Sequence, residues 1–458
     1  MRIKSLLITT SLCMYALLAG AQQQPHIILI LTDDMGSADI SCYGGTGPQT
    51  PNLDRMAAEG ARFTQYYSAS PICSPSRAGI LTGSYPARWN LTSYLQTRKG
   101  NTACEQADFL RAEAPSIARL LKSAGYRTAH FGKWHLGGGR DVKNAPSITA
   151  YGFDAYSSTW ESPDPDPLLT SGNWIWSKPD SVKRWDRTAY FVDRALAFLA
   201  ANKGKPCFIN LWPDDVHTPW VPDETSMDRM PKGGESQRQF EAVLAEYDKQ
   251  IGRFLDGLKQ LGIDQQTLVV FTSDNGALPT FGFRSGKFRG TKLSLYEGGI
   301  RMPLIAWQPG SIRAGQVDST SLLNATDLLP TFCRIAGIPA KKLPKTDGTD
   351  RAGVLLGEPS SKHRTFFWEY GRNDSAFKYP NGRNRSPSLA IRDGKWKLLV
   401  NADSSSEELY DLGKDPSEQN NIATMHPATA AQLKSKLLGW YRALPKLKTS
   451  PDVVRGDE

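Results

Sequence analysis

Two acidic clusters in the sequence each directly follow a short apolar run that indicates a buried strand. Asp33 and Asp34 follow the first run, and Asp274 and Asn275 follow a later one. In open α/β sheets, ligands bind beyond the carboxyl ends of the strands, where two such clusters would meet. Carboxylate and amide oxygens are hard ligands that suit calcium or magnesium. Each pair alone is also typical of turns, but together they predict a divalent cation site, for which we expect calcium.

The most distinctive motif is C-x-P-S-R-x-x-x-L-T-G, which runs from Cys73 to Gly83. A cysteine in an oxidising compartment is usually structural or disulfide-bonded. Here Cys73 precedes Pro75 and a short helix that the sequence predicts to begin near Ser76. Because the N-terminus of a helix lowers the pKa of a thiol and also binds oxyanions, Cys73 is a candidate for chemistry on an anion.

This motif resembles the signature of type I sulfatases, a family within the alkaline-phosphatase-like superfamily. Further segments resemble that family in order and spacing, so that the likeness covers nearly all of the mature chain. They are G-K-W-H-L-G at 132–137, H-T-P at 217–219, R-G-x-K…E-G-G-x-R-x-P at 289–303 and E-L-Y-D-L at 408–412. Within that family, the chain resembles bacterial carbohydrate sulfatases and arylsulfatases.

In that family the cysteine is oxidised after translation to Cα-formylglycine (3-oxoalanine). The resemblance implies that Cys73 is the precursor of the nucleophile, a geminal diol, and that position 73 binds the cation together with Asp33, Asp34, Asp274 and Asn275. Collapse of the diol to the aldehyde would eliminate the enzyme-bound sulfate. A sulfate ester on an ordinary serine or cysteine side chain has no second hydroxyl and could not eliminate sulfate in this way. The resemblance also implies a transient partner, a formylglycine-generating maturase that recognises the unfolded segment around Cys73.

The remaining candidate residues receive their roles from the same resemblance. Lys133 and Lys292 would bind sulfate oxygens while charge builds on them in the transition state. His217, or else His135, would protonate the departing oxygen. The expected substrate-binding residues are therefore Lys133, Lys292 and His217. His135 would also help to release the sulfate from position 73. Arg77 would orient the diol and bond the bound oxyanion.

Two other functions remain open at this point. A phosphate or phosphonate monoester hydrolase of the same superfamily would share the sheet and the acidic residues, although six histidines are too few for the common two-zinc phosphatase pattern. A non-catalytic protein that binds sulfated glycans is the second, and the intact Cys73, Lys133, His135 and Lys292 argue against it. Turnover of an aryl sulfate compared with an aryl phosphonate tests the first, and an aldehyde at position 73 tests the second.

The elements that must position these residues alternate between strands and helices. Apolar runs bounded by turn residues predict strands at 26–31, 126–131, 207–212 and 267–273. Helical spacing and capping residues predict helices at 51–59, 115–124, 187–201 and 240–258. Such alternation predicts an α/β fold with a large, mostly parallel central sheet flanked by helices.

The C-terminal part of the chain has a different pattern. Short apolar runs at 365–368, 389–391, 396–400 and 409–410 are separated by polar turns, and a helix is expected at 428–444. This pattern predicts a small antiparallel sheet with one helix. We therefore divide the chain into a signal peptide (1–21), a catalytic domain (22–345) and a C-terminal subdomain (346–458).

The first residues have the three parts of a secretory signal peptide. Arg2 and Lys4 precede an apolar run at 6–18, and small residues at 19–21 form a cleavage site. We predict cleavage after residue 21 and export to the periplasm or the exterior, with no later segment apolar enough to span a membrane. Of six cysteines, one lies in this signal, and the five that remain are expected to be scattered thiols with at most one disulfide. An odd number leaves at least one thiol without a disulfide partner.

The substrate is the least determined part of the prediction. A formal net charge of +9 suits an anionic substrate, although charge alone does not establish one, and we expect no nucleic-acid partner. The irregular segment 157–185 is rich in Pro, Asp and Trp, and long loops of this kind are often functional. Aromatic rings that could stack on sugars are Trp160, Trp174, Trp176, Trp212 and Trp220. The family resemblance favours a sulfated oligosaccharide of the glycosaminoglycan or mucin type, with N-acetylgalactosamine or galactose sulfate.

Overall fold

A computed structural model describes residues 24–445, apart from 48, 173, 231–233, 283, 372–379 and 381. Within this part of the chain, a large sheet of nine strands forms the centre of the molecule. Its strands are β1 (His26–Thr32), β2 (Ala61–Tyr67), β3 (Arg127–Gly132), β4 (Ala155–Ser158), β5 (Cys207–Trp212), β6 (Thr267–Ser273), β7 (Arg301–Trp307), β8 (Gln316–Asp318) and β9 (Leu323–Asn324). The predicted signal peptide lies outside the described residues.

The strand order is β4-β3-β5-β1-β6-β7-β2-β8, with β9 also paired to β2. From β4 to β6 all neighbours are parallel, as the sequence predicted, whereas β7 is antiparallel to both β6 and β2. The reversal has a simple cause. The chain leaves β6 at the carboxyl edge of the sheet, stays at that edge through 274–300 and re-enters the sheet from the same side.

Helices cover both faces of this sheet. They are α1 (Pro51–Glu59), α2 (Cys73–Thr82), α3 (Arg98–Ala103), α4 (Ile117–Ser123), α5 (Arg187–Ala201), α6 (Glu224–Asp228), α7 (Glu235–Gln260), α8 (Glu297–Ile300), α9 (Leu328–Ile335) and α10 (Ala352–Leu355). Strand β1 is buried on both faces: Ile27, Leu29 and Leu31 belong to one hydrophobic core, while Ile28 and Ile30 belong to another. A strand covered on both sides is apolar throughout, which explains the continuous run in the sequence.

The predicted start of the motif helix was wrong by about one turn. Helix α2 begins at Cys73, with Ile72 as the N-cap residue, rather than near Ser76. Pro75 is tolerated there because the first turn of a helix needs no backbone donor from that residue. Cys73 itself therefore lies in the first turn of the helix.

The C-terminal part forms the small antiparallel sheet that the sequence predicts. Its strands β10 (Thr365–Glu369), β11 (Leu389–Asp393), β12 (Trp396–Val400) and β13 (Glu408–Asp411) pair in chain order, and helix α11 (Pro427–Arg442) packs on them. The boundary at residue 345 stays a prediction. The segment predicted as irregular, 157–185, is so over 159–183 among its described residues, whereas its first two residues end β4 and its last two belong to a short 3-10 helix (Arg184–Asp186).

The cysteines of the described residues are all free thiols. No disulfide occurs there, and Cys42, Cys73, Cys104, Cys207 and Cys333 all carry thiols. No helix in the described ranges is long and apolar enough to cross a membrane.

Candidate active site

The two acidic clusters meet at the carboxyl ends of β1 and β6, as the sequence predicted. The parallel register pairs Thr32 with Ser273, so the residues that follow them are neighbours. The backbone N–H of Asp34 donates to Asp274 Oδ1 at 3.2 Å, and Asn275 Nδ2 donates to Asp34 Oδ1 at 2.7 Å. These side chains are buried, so the strand ends bring a dense group of oxygen atoms together in the interior.

Cys73 faces this group from the first turn of α2. Its Sγ atom lies 3.5 Å from Asp33 Oδ1 and 3.8 Å from Asp34 Oδ1. Burial raises the pKa of the Cys73 thiol well above its ordinary value, and this effect outweighs the opposing charges of Lys133 and Lys292. The lowered thiol pKa expected at a helix N-terminus is therefore not found. An unmodified Cys73 is a poor thiolate nucleophile in this environment.

Two lysines neutralise the carboxylates from opposite sides. Lys133, just after β3, places Nζ 2.9 Å from Asp33 Oδ2, and Lys292 places Nζ 2.6 Å from Asp34 Oδ2. Both ammonium groups are buried at the floor of a cavity. Although burial opposes ionisation, Lys133 helps to hold the pKa of Asp33 well below its usual range. Two ammonium groups and two carboxylates therefore lie in direct contact with one another beside the cavity.

Arg77 uses its guanidinium to fix this cluster. Its Nε and Nη2 atoms donate to Asp274 Oδ2 at 3.0 and 2.8 Å, and Nη1 donates to the Lys133 carbonyl at 2.8 Å. Nη2 also lies 3.3 Å from Asp33 Oδ1. The side chain is fully buried and packs over the ring of Trp212. These contacts hold the carboxylates in place, whereas the predicted contact with an oxyanion stays a prediction.

His135 lies beside a carboxylate that the sequence did not single out. Its Nε2 atom is 3.2 Å from the Leu95 carbonyl, which can only accept, so Nε2 carries the hydrogen. Its Nδ1 atom is 3.1 Å from Glu161 Oε2 and is thus the nitrogen that takes up a proton. Burial lowers the pKa of His135 to about 3, and the charge of Glu161 opposes that effect. The ring is therefore held in its neutral form.

His217 completes the floor of the cavity from the loop after β5. Its Nδ1 atom donates to the Thr218 carbonyl at 2.6 Å. The Nε2 atom consequently points to the acids and lies 3.4 Å from both Asp34 Oδ2 and Lys292 Nζ. Burial lowers the pKa of His217, while Asp34 and Asp33 raise it. A protonated Nε2 would be placed to donate to a group bound between these residues.

The loop that carries His217 is held by a buried ion pair. Arg184 Nη2 donates to the His217 carbonyl at 2.9 Å and to the Asp214 carbonyl at 2.7 Å. The Asp214 carboxylate lies between Arg184 and Arg187, with Arg187 Nη1 at 3.0 Å. Arg187 also donates to the Leu169 carbonyl at 2.7 Å, which connects the histidine loop to the irregular segment after β4.

The segment that carries Lys292 is anchored by the C-terminal subdomain. The backbone N–H of Leu295 donates to Ser386 Oγ at 2.9 Å. The backbone N–H of Glu297 donates to Glu418 Oε2 at 2.6 Å. The connection before β11 and the loop after β13 thereby help to fix the segment that carries Lys292, and neither contributes a described residue to the lining of the cavity.

The oxygen-rich cluster fits a divalent cation. Donor atoms of Asp33, Asp34, Cys73 and His217 all lie within 4.8 Å of one another. The Oδ1 atom of buried Asn275 has no hydrogen-bond partner within the described structure, which is unusual for an interior amide oxygen. A cation would satisfy this atom and reduce the repulsion between the carboxylates. Asp33, Asp34 and Asn275, all predicted ligands, supply hard oxygen donors, and His217 lies nearby as an addition. Asp274, also a predicted ligand, accepts hydrogen bonds from Arg77 and from the backbone N–H of Asp34, and its contact with a cation stays a prediction.

Two of the predicted site residues have backbone angles that residues other than glycine rarely adopt. Asp34 has φ of 61° and His135 has φ of 51°. Left-handed backbone costs energy for residues other than glycine, and such residues concentrate at functional sites. The angles turn both side chains out of the strand direction and toward the cluster.

The predicted site residues thus lie together at one end of the sheet. A cavity of about 520 Å³ is lined by Cys73, Lys133, His135, His217 and Lys292, whereas the buried Arg77 and the predicted ligands Asp33, Asp34, Asp274 and Asn275 are not among its lining residues. Sequence reasoning missed the residues that hold these groups, namely Glu161, Arg184, Asp214 and Arg140. Arg184 begins a three-residue 3-10 helix and the others lie on irregular backbone, and no periodicity or local motif marked any of them. Three of the tryptophans considered for sugar stacking are buried, which excludes Trp212 and Trp220 in the hydrophobic core and leaves little of the Trp160 ring accessible.

Comparison with known proteins defines the class. Residues 25–338 match the family model described as sulfatase, and residues 288–442 match the one described as N-sulphoglucosamine sulphohydrolase, C-terminal. The chain therefore belongs to the sulfatase family. Together with its relatives, this membership makes the protein a sulfuric ester hydrolase.

Several curated proteins are similar over most of their length. N-acetylgalactosamine-6-sulfatase of Canis lupus familiaris is 34% identical, over 76% of this chain and 69% of the relative. N-acetylgalactosamine-6-O-sulfatase of Bacteroides thetaiotaomicron is 28% identical, over 91% of this chain and 93% of the relative. Human arylsulfatase A is 29% identical, over 89% of this chain and 85% of the relative.

Solved structures agree on the fold. Ps i-CgsB in complex with k-i-k-neocarrahexaose has a TM-score of 0.78 and 25% identity, over 93% of this chain and 94% of the other. A 6S-sulfatase from a study of glycosaminoglycan metabolism in Bacteroides thetaiotaomicron has a TM-score of 0.73 and 26% identity, over 90% and 98%. The large mixed sheet with the small antiparallel sheet is the shared architecture.

Proposed function

We propose that this protein is an exported carbohydrate sulfatase that acts through formylglycine derived from Cys73. The favoured substrates are N-acetylgalactosamine or galactose sulfates in glycosaminoglycan or mucin-type glycans. The observation that carries the proposal is the position of Cys73, which faces Asp33 and Asp34 within the same cavity as two buried lysines. Relatives named as N-acetylgalactosamine-6-sulfatases support this choice of sugar.

The residues around Cys73 fit a divalent cation, for which calcium is proposed and magnesium is the alternative. Asp33, Asp34, Asp274 and Asn275 would hold it with position 73. Hydrated formylglycine would supply the attacking hydroxyl, and the cation would withdraw charge from it and from the sulfate. The unmodified thiol is unsuited to this task because burial raises its pKa. Maturation by a formylglycine-generating enzyme is therefore part of the proposal.

The two lysines would bind the sulfate group. Lys133 and Lys292 reach the floor of the cavity from opposite sides and keep their charge, since neighbouring carboxylates raise the pKa of each. Sulfur transfer spreads negative charge over the sulfate oxygens, and fixed ammonium groups in a buried site stabilise that charge strongly. Arg77 would act on the carboxylates of the cation site, because its donors already contact Asp274 and Asp33.

Proton transfer would be divided between the two histidines. The Nε2 atom of His217 faces the floor next to Lys292, so this residue is proposed to protonate the departing sugar oxygen. The Nδ1 atom of His135 faces Glu161, which would accept a hydrogen bond from the ring once it is protonated. His135 is accordingly proposed as the base that assists release of sulfate.

The proposal is tested on the protein purified from a host with a formylglycine-generating maturase. We expect mass spectrometry of the peptide around Cys73 to show an aldehyde. We also expect faster turnover of an aryl sulfate than of the matching aryl phosphonate, and sulfate release from N-acetylgalactosamine 6-sulfate. A preference for the phosphonate would assign the protein to the other branch of the superfamily. An aldehyde without turnover of either ester would leave a glycan-binding role.

A further inference from the structure

One aromatic pair lies at the mouth of the catalytic cavity. Trp174 is 56% exposed, whereas Trp160 is only 5% exposed, and their ring centres are 5.1 Å apart at an angle of 55°. Both belong to the irregular segment after β4, and both line the cavity that contains Cys73. A tryptophan ring that stays exposed beside a deep cavity is a candidate contact for a ligand.

The inner ring is fixed and the outer ring is accessible. The guanidinium of Arg140 lies 4.7 Å from the ring centre of Trp160, and its Nη2 atom is 3.1 Å from Glu161 Oε1. Glu161 in turn contacts His135. Trp160 is therefore held between a cation and its neighbouring ring, so that Trp174 is the surface of the pair that a ligand would meet.

The cavity has two chemically different parts. Its floor carries the charges of Lys133 and Lys292, while its wall is formed by apolar side chains such as Trp174, Ile175 and Leu278. A sulfate ester placed with its anion on the floor would hold the esterified group against this wall. A cavity of about 520 Å³ lies within the range of small-molecule sites.

The wall favours one kind of sugar. In a galacto-configured ring the axial hydroxyl at carbon 4 leaves several C–H bonds together on one face, whereas the gluco epimer spreads them over both faces. Oxygen substituents polarise these hydrogens positively, and the face of an indole ring is negative, so the two surfaces attract. A sugar with one continuous C–H face therefore makes the better stacking partner.

We propose that Trp174, supported by Trp160, is a stacking platform for the galacto-configured sugar that bears the sulfate ester. This inference rests on the proposed sulfatase function and deepens it, because it names the residue that selects the sugar. Trp174 acts on the sugar ring, while the residues at the floor act on the sulfate.

The test compares Trp174→Ala and Trp174→Phe with the wild type on two epimeric substrates, N-acetylgalactosamine 6-sulfate and N-acetylglucosamine 6-sulfate. Trp176→Ala is the matched control, since Trp176 lies in the same segment and does not line the cavity. One aromatic contact contributes on the order of 0.5–1.5 kcal/mol, so we expect Trp174→Ala to lower kcat/KM for the galacto substrate roughly 2- to 13-fold, through KM. Trp174→Phe should retain part of the effect.

Two readouts separate stacking from general damage. Inhibition by inorganic sulfate should stay unchanged in Trp174→Ala, because sulfate binds only at the floor. The preference for the galacto epimer should shrink in Trp174→Ala and persist in Trp176→Ala. An unchanged preference in Trp174→Ala, or an equal loss in Trp176→Ala, would overturn the proposal.

A binding measurement keeps this inference separate from the proposed function. Unsulfated N-acetylgalactosamine should quench the tryptophan fluorescence of the wild type, and the quenching should be lost in Trp174→Phe. If no sulfate ester is hydrolysed but this quenching is found, the reaction is wrongly assigned and the platform stands. If esters are hydrolysed but the sugar causes no quenching that depends on Trp174, the platform is wrong and the sulfatase stands.

Discussion

Lys292 and Asp34 are 258 residues apart in the chain, yet Lys292 Nζ lies 2.6 Å from Asp34 Oδ2. The contact joins the end of β1 to the segment that links β6 and β7. It forms because that segment stays at the carboxyl edge of the sheet before the chain turns back into β7. The same edge also holds Cys73, so the reversal of the chain between β6 and β7 brings the ammonium group of Lys292 to the carboxylate of Asp34 and to Cys73.

The first prediction concerns the cation. Asp274→Asn should lower activity at least roughly 100-fold, because one charge of the oxygen cluster is lost while the shape is kept. Calcium added to the chelated wild type should raise its unfolding free energy, by about 2.7 kcal/mol when free calcium is 100 times Kd. Thermal unfolding of both proteins with and without calcium checks this, and equal stabilisation of the variant would remove Asp274 from the cation site.

The second prediction concerns His217. His217→Ala should slow hydrolysis of sugar sulfates on the order of 10²–10⁴-fold, because an alkoxide leaves poorly without a proton. An activated aryl sulfate should be affected much less, since its phenolate needs no proton. Steady-state rates on both substrate types decide the matter. Equal losses on the two would transfer the acid role to His135.

The third prediction concerns Arg184, which contacts the His217 carbonyl and not the substrate cavity floor. Arg184→Lys should keep a charge beside Asp214 but lose the paired donors that hold the loop. We expect the same pattern as for His217→Ala in a milder form, with sugar sulfates slowed more than aryl sulfates. A fall in melting temperature without this difference between substrates would show a purely structural role.

The fourth prediction concerns Cys73. Cys73→Ala should be inactive in every host, because alanine cannot yield a geminal diol, while Asp33, Asp34 and both lysines remain. Cys73→Ser should be inactive where the maturase accepts only cysteine and partly active where it also accepts serine. A sulfated oligosaccharide should still stabilise Cys73→Ala against heat, whereas its desulfated form should stabilise it less. Undiminished hydrolysis by Cys73→Ala would sink the formylglycine proposal.

The fifth prediction concerns the interface between the small sheet and the Lys292 segment. Lys397 Nζ lies 2.9 Å from Glu297 Oε1 and 2.8 Å from Glu418 Oε1. Burial raises the pKa of Glu418 to about 7, with Lys397 opposing and Glu297 adding to the shift. Since the folded state then binds the proton more tightly than the unfolded chain, Glu418 should reduce stability progressively as pH rises from about 4.5 to about 7.

Replacing that carboxyl group isolates its effect. Between pH 4.5 and 7.5, wild type should lose stability relative to Glu418→Gln, by an amount on the order of 1–3 kcal/mol. Urea unfolding of both proteins at several pH values measures this difference. Asp274 and Asp215 also titrate in this range but do so in both proteins, so their contributions cancel. Parallel pH profiles would contradict the assignment.

Much of the fold could be predicted because burial leaves a local pattern in the sequence. Strands β5 and β6 and helix α5 have the bounds that apolar runs and helical spacing indicated. The site residues were found for another reason, since motifs such as the one at 73–83 keep chemistry-bearing residues at fixed spacing. Parallel strands also share one carboxyl edge, and this places Asp33 and Asp274 together before any coordinates are known.

The remaining features depend on contacts between distant segments. Glu161 beside His135 lies on irregular backbone, and Arg184 beside His217 begins a 3-10 helix of only three residues. Neither has a periodicity that indicates the direction or the partner of the side chain. The raised pKa of the Cys73 thiol is likewise a property of complete burial, although its position just before a predicted helix N-terminus predicted the opposite. The sequence determined which groups are available and at which edge of the sheet they lie. The tertiary structure decided their partners and their charge, because both depend on how the chain excludes water around them.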